Sequence, residues 1–242
     1  MKKERLDKII SSQSMMTRSD ASRLIKGGCV KINGAVVKNT SFKVDTENES
    51  IELNGEPFVY KEHVYIMMNK PSGIVSASRD PKEKTVVDIV PEELMRPGLF
   101  PAGRLDKDTT GFVLITDDGD FAHNILSPKH HIEKTYLAKT DVIIEETYLE
   151  SIRSGMTSGE DVFMPAQIEL YENTDNPVYK IILHEGKYHE IKRMIGASNA
   201  VLLSLKRIKM GKLDLDEALQ PGECREITAE ELLLVQEKIP CR

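Results

Sequence analysis

Gly103-Arg104-Leu105-Asp106-Lys107-Asp108-Thr109-Thr110-Gly111 runs without a break into Phe112-Val113-Leu114-Ile115-Thr116-Asp117-Asp118-Gly119. The first block reads as a loop. The second opens as an apolar, β-branched run that predicts a strand over 112–116. A carboxylate on that loop, Asp106, would therefore stand on a rigid support at the mouth of a cleft. Taken alone, Asp106 is more simply a turn or cap residue, which is what most loop aspartates are. Asp117-Asp118-Gly119-Asp120 lacks the spaced ligands and closing glutamate of a calcium loop, and reads as a strand-to-helix turn.

Working outward, further strands are expected at 63–69, 132–140, 162–172, 177–184 and 200–209, with helices near 119–126, 145–153, 187–197 and 228–237. Strands follow one another directly instead of alternating with helices. The class is therefore α+β, with a mixed or antiparallel sheet. Upstream, 5–12 and a stretch from about Ser19 have helical spacing of Leu6, Ile9, Ile10, Leu24 and Ile25. Gly27-Gly28 ends the second helix, and 29–32 and 35–37 flank Asn33-Gly34 as a type I′ hairpin. After Asn54-Gly55-Glu56-Pro57 the composition shifts. The chain divides into a small α/β module, 1–60, and a larger domain, 61–242.

A formal net charge of −6 argues against a polyanionic partner only until its distribution is read. Residues 1–43 carry ten basic side chains against three acidic ones, and 180–212 carry eight against two. Two basic patches are the electrostatic footprint of phosphate binding. In the first patch the candidate phosphate contacts are Arg5, Lys8, Arg18, Arg23, Lys26 and Lys31. Apolar runs such as Val201-Leu202-Leu203 are far too short to cross a membrane, and no apolar core follows the charged start as in a secretory signal. A cytoplasmic protein is expected. Cys29, Cys224 and Cys241 suit neither a disulfide framework nor a zinc site. His123, His130 and His131 match no standard metal spacing, so no metal is expected.

The 103–119 stretch closely resembles the signature of ribosomal RNA pseudouridine synthases. Two more blocks agree in order and spacing: His131-Ile132-Glu133-Lys134-Thr135-Tyr136, and Glu185-Gly186-Lys187-Tyr188-His189-Glu190-Ile191-Lys192-Arg193-Met194. Residues 1 to about 60 look like the S-four RNA-binding domain, so the resemblance spans nearly the whole chain. Ser127-Pro128-Lys129-His130-His131 and its distance to Tyr136 look more like the enzymes acting on small-subunit (16S) rRNA than on large-subunit rRNA. There are two departures. Glu190 stands where glutamine is common, and Asn199 where a glycine usually ends the helix, a place asparagine fills by adopting left-handed geometry.

The resemblance implies an isomerase that needs no cofactor, acting as a monomer on ribosomal RNA, either free or within a pre-ribosomal particle. Breaking the N-glycosidic bond of uridine and rejoining the base through carbon calls for a group that attacks or deprotonates the sugar, and a carboxylate does either. That role falls to Asp106. Arg104 would pair with it or hold the nucleotide phosphate. Tyr136 would stack on uracil or move a proton, and Lys192 looks like the family's basic partner of the aspartate, with Arg193 beside it. Lys187, Lys206 and Arg207 would hold backbone phosphates as the target base leaves its stack. Without the matched blocks, Tyr136 would read as core and Lys192 as a solvated helix face. The rivals are a non-catalytic RNA-binding assembly factor and a glycosidase using Asp106 with Asp108.

Overall fold

The computed structural model describes residues 3–127 and 132–236. Pro128 to His131 and Cys241, on which some of the sequence reading rests, lie outside the described residues. The chain forms two compact units, one made of residues up to 64 together with 91–99, the other of 65–90 and 100 onward.

In the first unit, helices Leu6–Ser12 and Arg18–Lys26 pack against a four-stranded antiparallel sheet. The second helix starts cleanly because Thr17 and Asp20 form a reciprocal capping box. Two Asn-Gly turns build the sheet. Asn33-Gly34 joins Val30–Ile32 to Ala35–Val36, and Asn54-Gly55 joins Ile51–Leu53 to Glu56–Phe58. All four turn residues have positive φ, the geometry that makes Asn-Gly the preferred tight hairpin. Leu6, Ile9, Ile10, Ile25, Val30 and Ile51 close a core of their own.

The second unit is built on a nine-stranded mixed sheet, as the α+β reading expects. Its order is Gln167–Glu172, Val178–Leu183, Lys134–Thr140, Leu202–Met210, Thr110–Thr116, Tyr65–Lys70 and Cys224–Glu226, with Phe100–Pro101 and Leu213–Asp214 attached at the side. Pairing is antiparallel except between Thr110–Thr116 and Leu202–Met210, where only Lys206↔Thr110 and Arg207↔Gly111 are in register. Two antiparallel halves thus meet at a short parallel junction, and the 103–109 loop enters the sheet there.

The strand expected over 162–172 is two pieces, Asp161–Val162 and Gln167–Glu172. Pro165 lies between them and cannot donate to a ladder. The helix expected from 187 begins at Glu190, because His189 takes a left-handed conformation, φ 51°. Asn199 is not left-handed: its side-chain amide donates to Ile143 O at 3.1 Å and its carbonyl accepts from Glu145 N at 3.4 Å. It ties two loops instead of capping a helix. No helix among the described residues is long and apolar enough to cross a membrane.

Candidate active site

Asp106 sits on the loop that feeds the Thr110–Thr116 strand, and the loop is braced from beneath. Lys70 is fully buried, and its ammonium donates to the carbonyls of Pro71 (3.1 Å), Lys107 (3.1 Å) and Thr109 (2.9 Å). Burial pushes the Lys70 pKa down to about 8, against the pull of Asp108 and Asp106. Gly73 N donates to Lys107 O at 2.8 Å, and Leu105 N to Ser76 Oγ at 3.1 Å. A loop with its carbonyls and amides tied this way holds its carboxylate in a fixed place.

Two basic side chains meet that carboxylate. Lys192 Nζ lies 3.1 Å from Asp106 Oδ2 and 2.5 Å from Asp108 Oδ1, and His189 Nε2 lies 3.3 Å from Asp106 Oδ1, a pair that is ionic only when the imidazole is protonated. Burial opposes the charge on Lys192, but hydrogen bonds to Asp108 and Asp106 outweigh it and hold its pKa above the ordinary lysine value. The same ammonium holds the Asp108 carboxyl below its usual range. Asp108, the second acid a glycosidase would need, is thus engaged by the cation that serves Asp106.

The cleft beside Asp106 is walled by Tyr136, Leu183, Leu205, Thr109 and Glu190. Tyr136 is buried in the strand wall opposite the loop, 9% exposed. Arg104 lines the cleft but forms no ion pair with Asp106; Lys192 and His189 take that place. Arg193 is drawn away, 2.5 Å from Asp161 and stacked over Phe163, while Lys187 pairs with Glu185 at 3.2 Å.

Of two expected phosphate contacts, Lys206 is turned away from the cleft by the pleat and Arg207 is withdrawn by burial. Leu205 faces the cleft, so its neighbour Lys206 projects from the other face, into a separate hollow with Leu137 and Tyr171. Arg207 is only 3% exposed, and its Nε donates to Phe112 O at 2.7 Å. It fastens the parallel junction and is withdrawn from the surface. In the first unit, Arg5 pairs with Asp7, Lys8 with Glu4, Arg23 with Asp20 and Lys31 with Glu52. Arg18 and Lys26 have no such pairing among the described residues.

Sequence reasoning passed over His189, Lys70, Lys134 and Tyr188. His189 stands inside the 185–194 block and could have been singled out; Lys70, at the end of a strand, carries no local signal. Tyr188 is 77% exposed, with its ring stacked on His189 at 3.8 Å.

Residues 64–197 match the family described as RNA pseudouridylate synthase, and residues 4–50 match the S4 domain. The chain belongs to the RNA pseudouridine synthase family. The synthase is 42% identical over 235 residues to an uncharacterized RNA pseudouridine synthase of Bacillus subtilis, spanning 96% of this chain and 98% of that one. It is 38% identical over 234 residues to the ribosomal small subunit pseudouridine synthase A of Escherichia coli, spanning 96% and 99%. A crystal structure of a pseudouridylate synthase superposes with a TM-score of 0.66 at 37% identity, over 96% of this chain and 99% of that one. The synthase therefore isomerises uridine in RNA.

Proposed function

We propose that the synthase acts on a uridine of small-subunit ribosomal RNA and that Asp106 supplies the carboxylate that works on the ribose as the base departs. The observation that carries the reading is the placement of Asp106: on a braced loop, between Lys192 and His189, at a cleft walled by Tyr136. Near-complete alignment with relatives named for the small subunit, at 38–39% identity, supports the target. Isomerisation has no net redox change, so positioned side chains suffice: a carboxylate for the sugar, a counter-charge to hold it, and an aromatic face for the freed base.

Tyr136 supplies that face, and its hydroxyl is a separable contribution. Tyr136→Phe is expected to keep most of the turnover and Tyr136→Ala to lose about a hundredfold, measured as single-turnover rates at saturating enzyme. Equal and complete loss in both would make proton transfer by the hydroxyl the essential role.

The first unit grips RNA through cations not already spent on carboxylates. Neutralising Arg18 and Lys26 together should flatten the dependence of log K on log salt by about two units, read from binding across a salt series. An unchanged slope would mean that this face is merely solvated.

A further inference from the structure

Glu190 is a cleft side chain with no part in the steps assigned to Asp106, Lys192 and Tyr136. It lines the Asp106 cleft, is 4% exposed, and one of its oxygens, Oε1, is buried without a hydrogen bond. The other, Oε2, accepts from Lys187 N at 2.9 Å. Thr109 Oγ1, from the opposite wall, is likewise buried and unsatisfied. Buried polar atoms in folded proteins find partners, so two orphans on one cleft point to a polar ligand that completes them. The ligand of this cleft is a flipped uracil, whose edge presents two carbonyl oxygens flanking one N–H.

Burial, more than the charges around it, favours the neutral form of Glu190. It raises the pKa to about 7; the Lys187 amide and ammonium work against this, and Glu185 adds to it by repulsion and by a carboxyl–carboxyl hydrogen bond. Lys134, on the strand below, has its pKa pushed down to about 8 by burial and by Arg207, and Glu190 pulls it back only in part. Lys187's ammonium is held by Glu185. Oε2 already accepts from a backbone N–H, which leaves Oε1 as the oxygen open to a ligand.

We propose that Glu190, as a neutral carboxylic acid, donates a hydrogen bond from Oε1 to a carbonyl of the target uracil and so fixes the base in the cleft. This rests on reading the cleft as the uridine site. A base that fills the cleft expels water and favours the neutral acid further. Glutamine at this position would donate an equivalent bond from its amide at any pH, so the glutamate makes recognition of the base dependent on pH near neutrality.

The test compares wild type, Glu190→Gln and Glu190→Ala on full-length protein, with RNA carrying uridine, 2-thiouridine or 4-thiouridine at the target. The wild-type kcat/KM, taken relative to that of Glu190→Gln, should fall about tenfold from pH 6 to pH 8, the change in the neutral fraction of an acid titrating near 7. Glu190→Ala should lose about tenfold at pH 6 and become insensitive to one of the two thio substitutions, because the donor that the sulfur would disappoint is gone. Two results would each overturn the proposal: parallel pH profiles for wild type and Glu190→Gln, or equal thio penalties in wild type and Glu190→Ala at both positions. If Glu190→Ala does not fold, the wild-type and Glu190→Gln pair decides. Activity in an Asp106→Asn control would instead overturn the reading of the cleft itself.

Discussion

Asp106→Asn is expected to lower turnover at least about a thousandfold while RNA affinity stays within about twofold of wild type. The amide keeps the shape of the side chain and sits on the same braced loop, but it neither attacks carbon nor takes a proton at neutral pH. Lys192 keeps its second carboxylate, Asp108, 2.5 Å away, so the local structure has a remaining counter-charge. Single-turnover conversion with saturating purified variant measures the first quantity and equilibrium binding the second. Turnover within tenfold of wild type would remove Asp106 from the chemistry.

The largest expected effect on stability comes from Gly111→Ala, by about 4 kcal/mol or more, which for a unit of this size lowers the midpoint of thermal unfolding by about 10 °C. Gly111 has φ +95°, which L side chains rarely adopt, and an added Cβ would overlap the carbonyl oxygen of Arg207 and lie 3.0 Å from its carbonyl carbon. Neither neighbour is the loose end of a side chain. Gly111 is also one of the two positions in register at the parallel junction, near the start of the strand that follows the loop carrying Asp106, with Thr110 between. Thermal melts of variant and wild type, followed by near-ultraviolet dichroism, read the effect. An unchanged midpoint would mean that the junction yields more easily than its geometry implies.

What the sequence disclosed followed the reach of its physical signals. The Asn33-Gly34 turn, the apolar 112–116 run and the Asp118-capped helix Gly119–Leu126 are each written in a few adjacent residues, so they could be read directly. The pairing of Lys192 with Asp106 joins distant parts of the chain, and only the resemblance connected them. Lys206 and Arg207 were named together because charge composition locates a patch along the chain, but neighbouring residues of a strand face opposite ways: Lys206 is exposed on the face away from the cleft, and Arg207 is buried with its Nε on Phe112 O. Four of the six basic residues singled out in the first unit proved to be paired with carboxylates, two of them within helical reach. Net counts of charge overstate what is free to meet a phosphate. Glu190 stood out in the sequence only as a departure from glutamine, and its meaning depended on a burial and an unsatisfied oxygen that no spacing encodes.

The central claim is that this synthase converts a uridine of small-subunit ribosomal RNA through Asp106. Mapping pseudouridines in both ribosomal RNAs from cells lacking the gene, and from the same cells carrying either the wild-type or the Asp106→Asn gene, tests it most directly. One pseudouridine should vanish from the small-subunit RNA, return with the wild-type gene and stay absent with the variant. Loss of a site in large-subunit RNA instead, or its restoration by Asp106→Asn, would contradict the account.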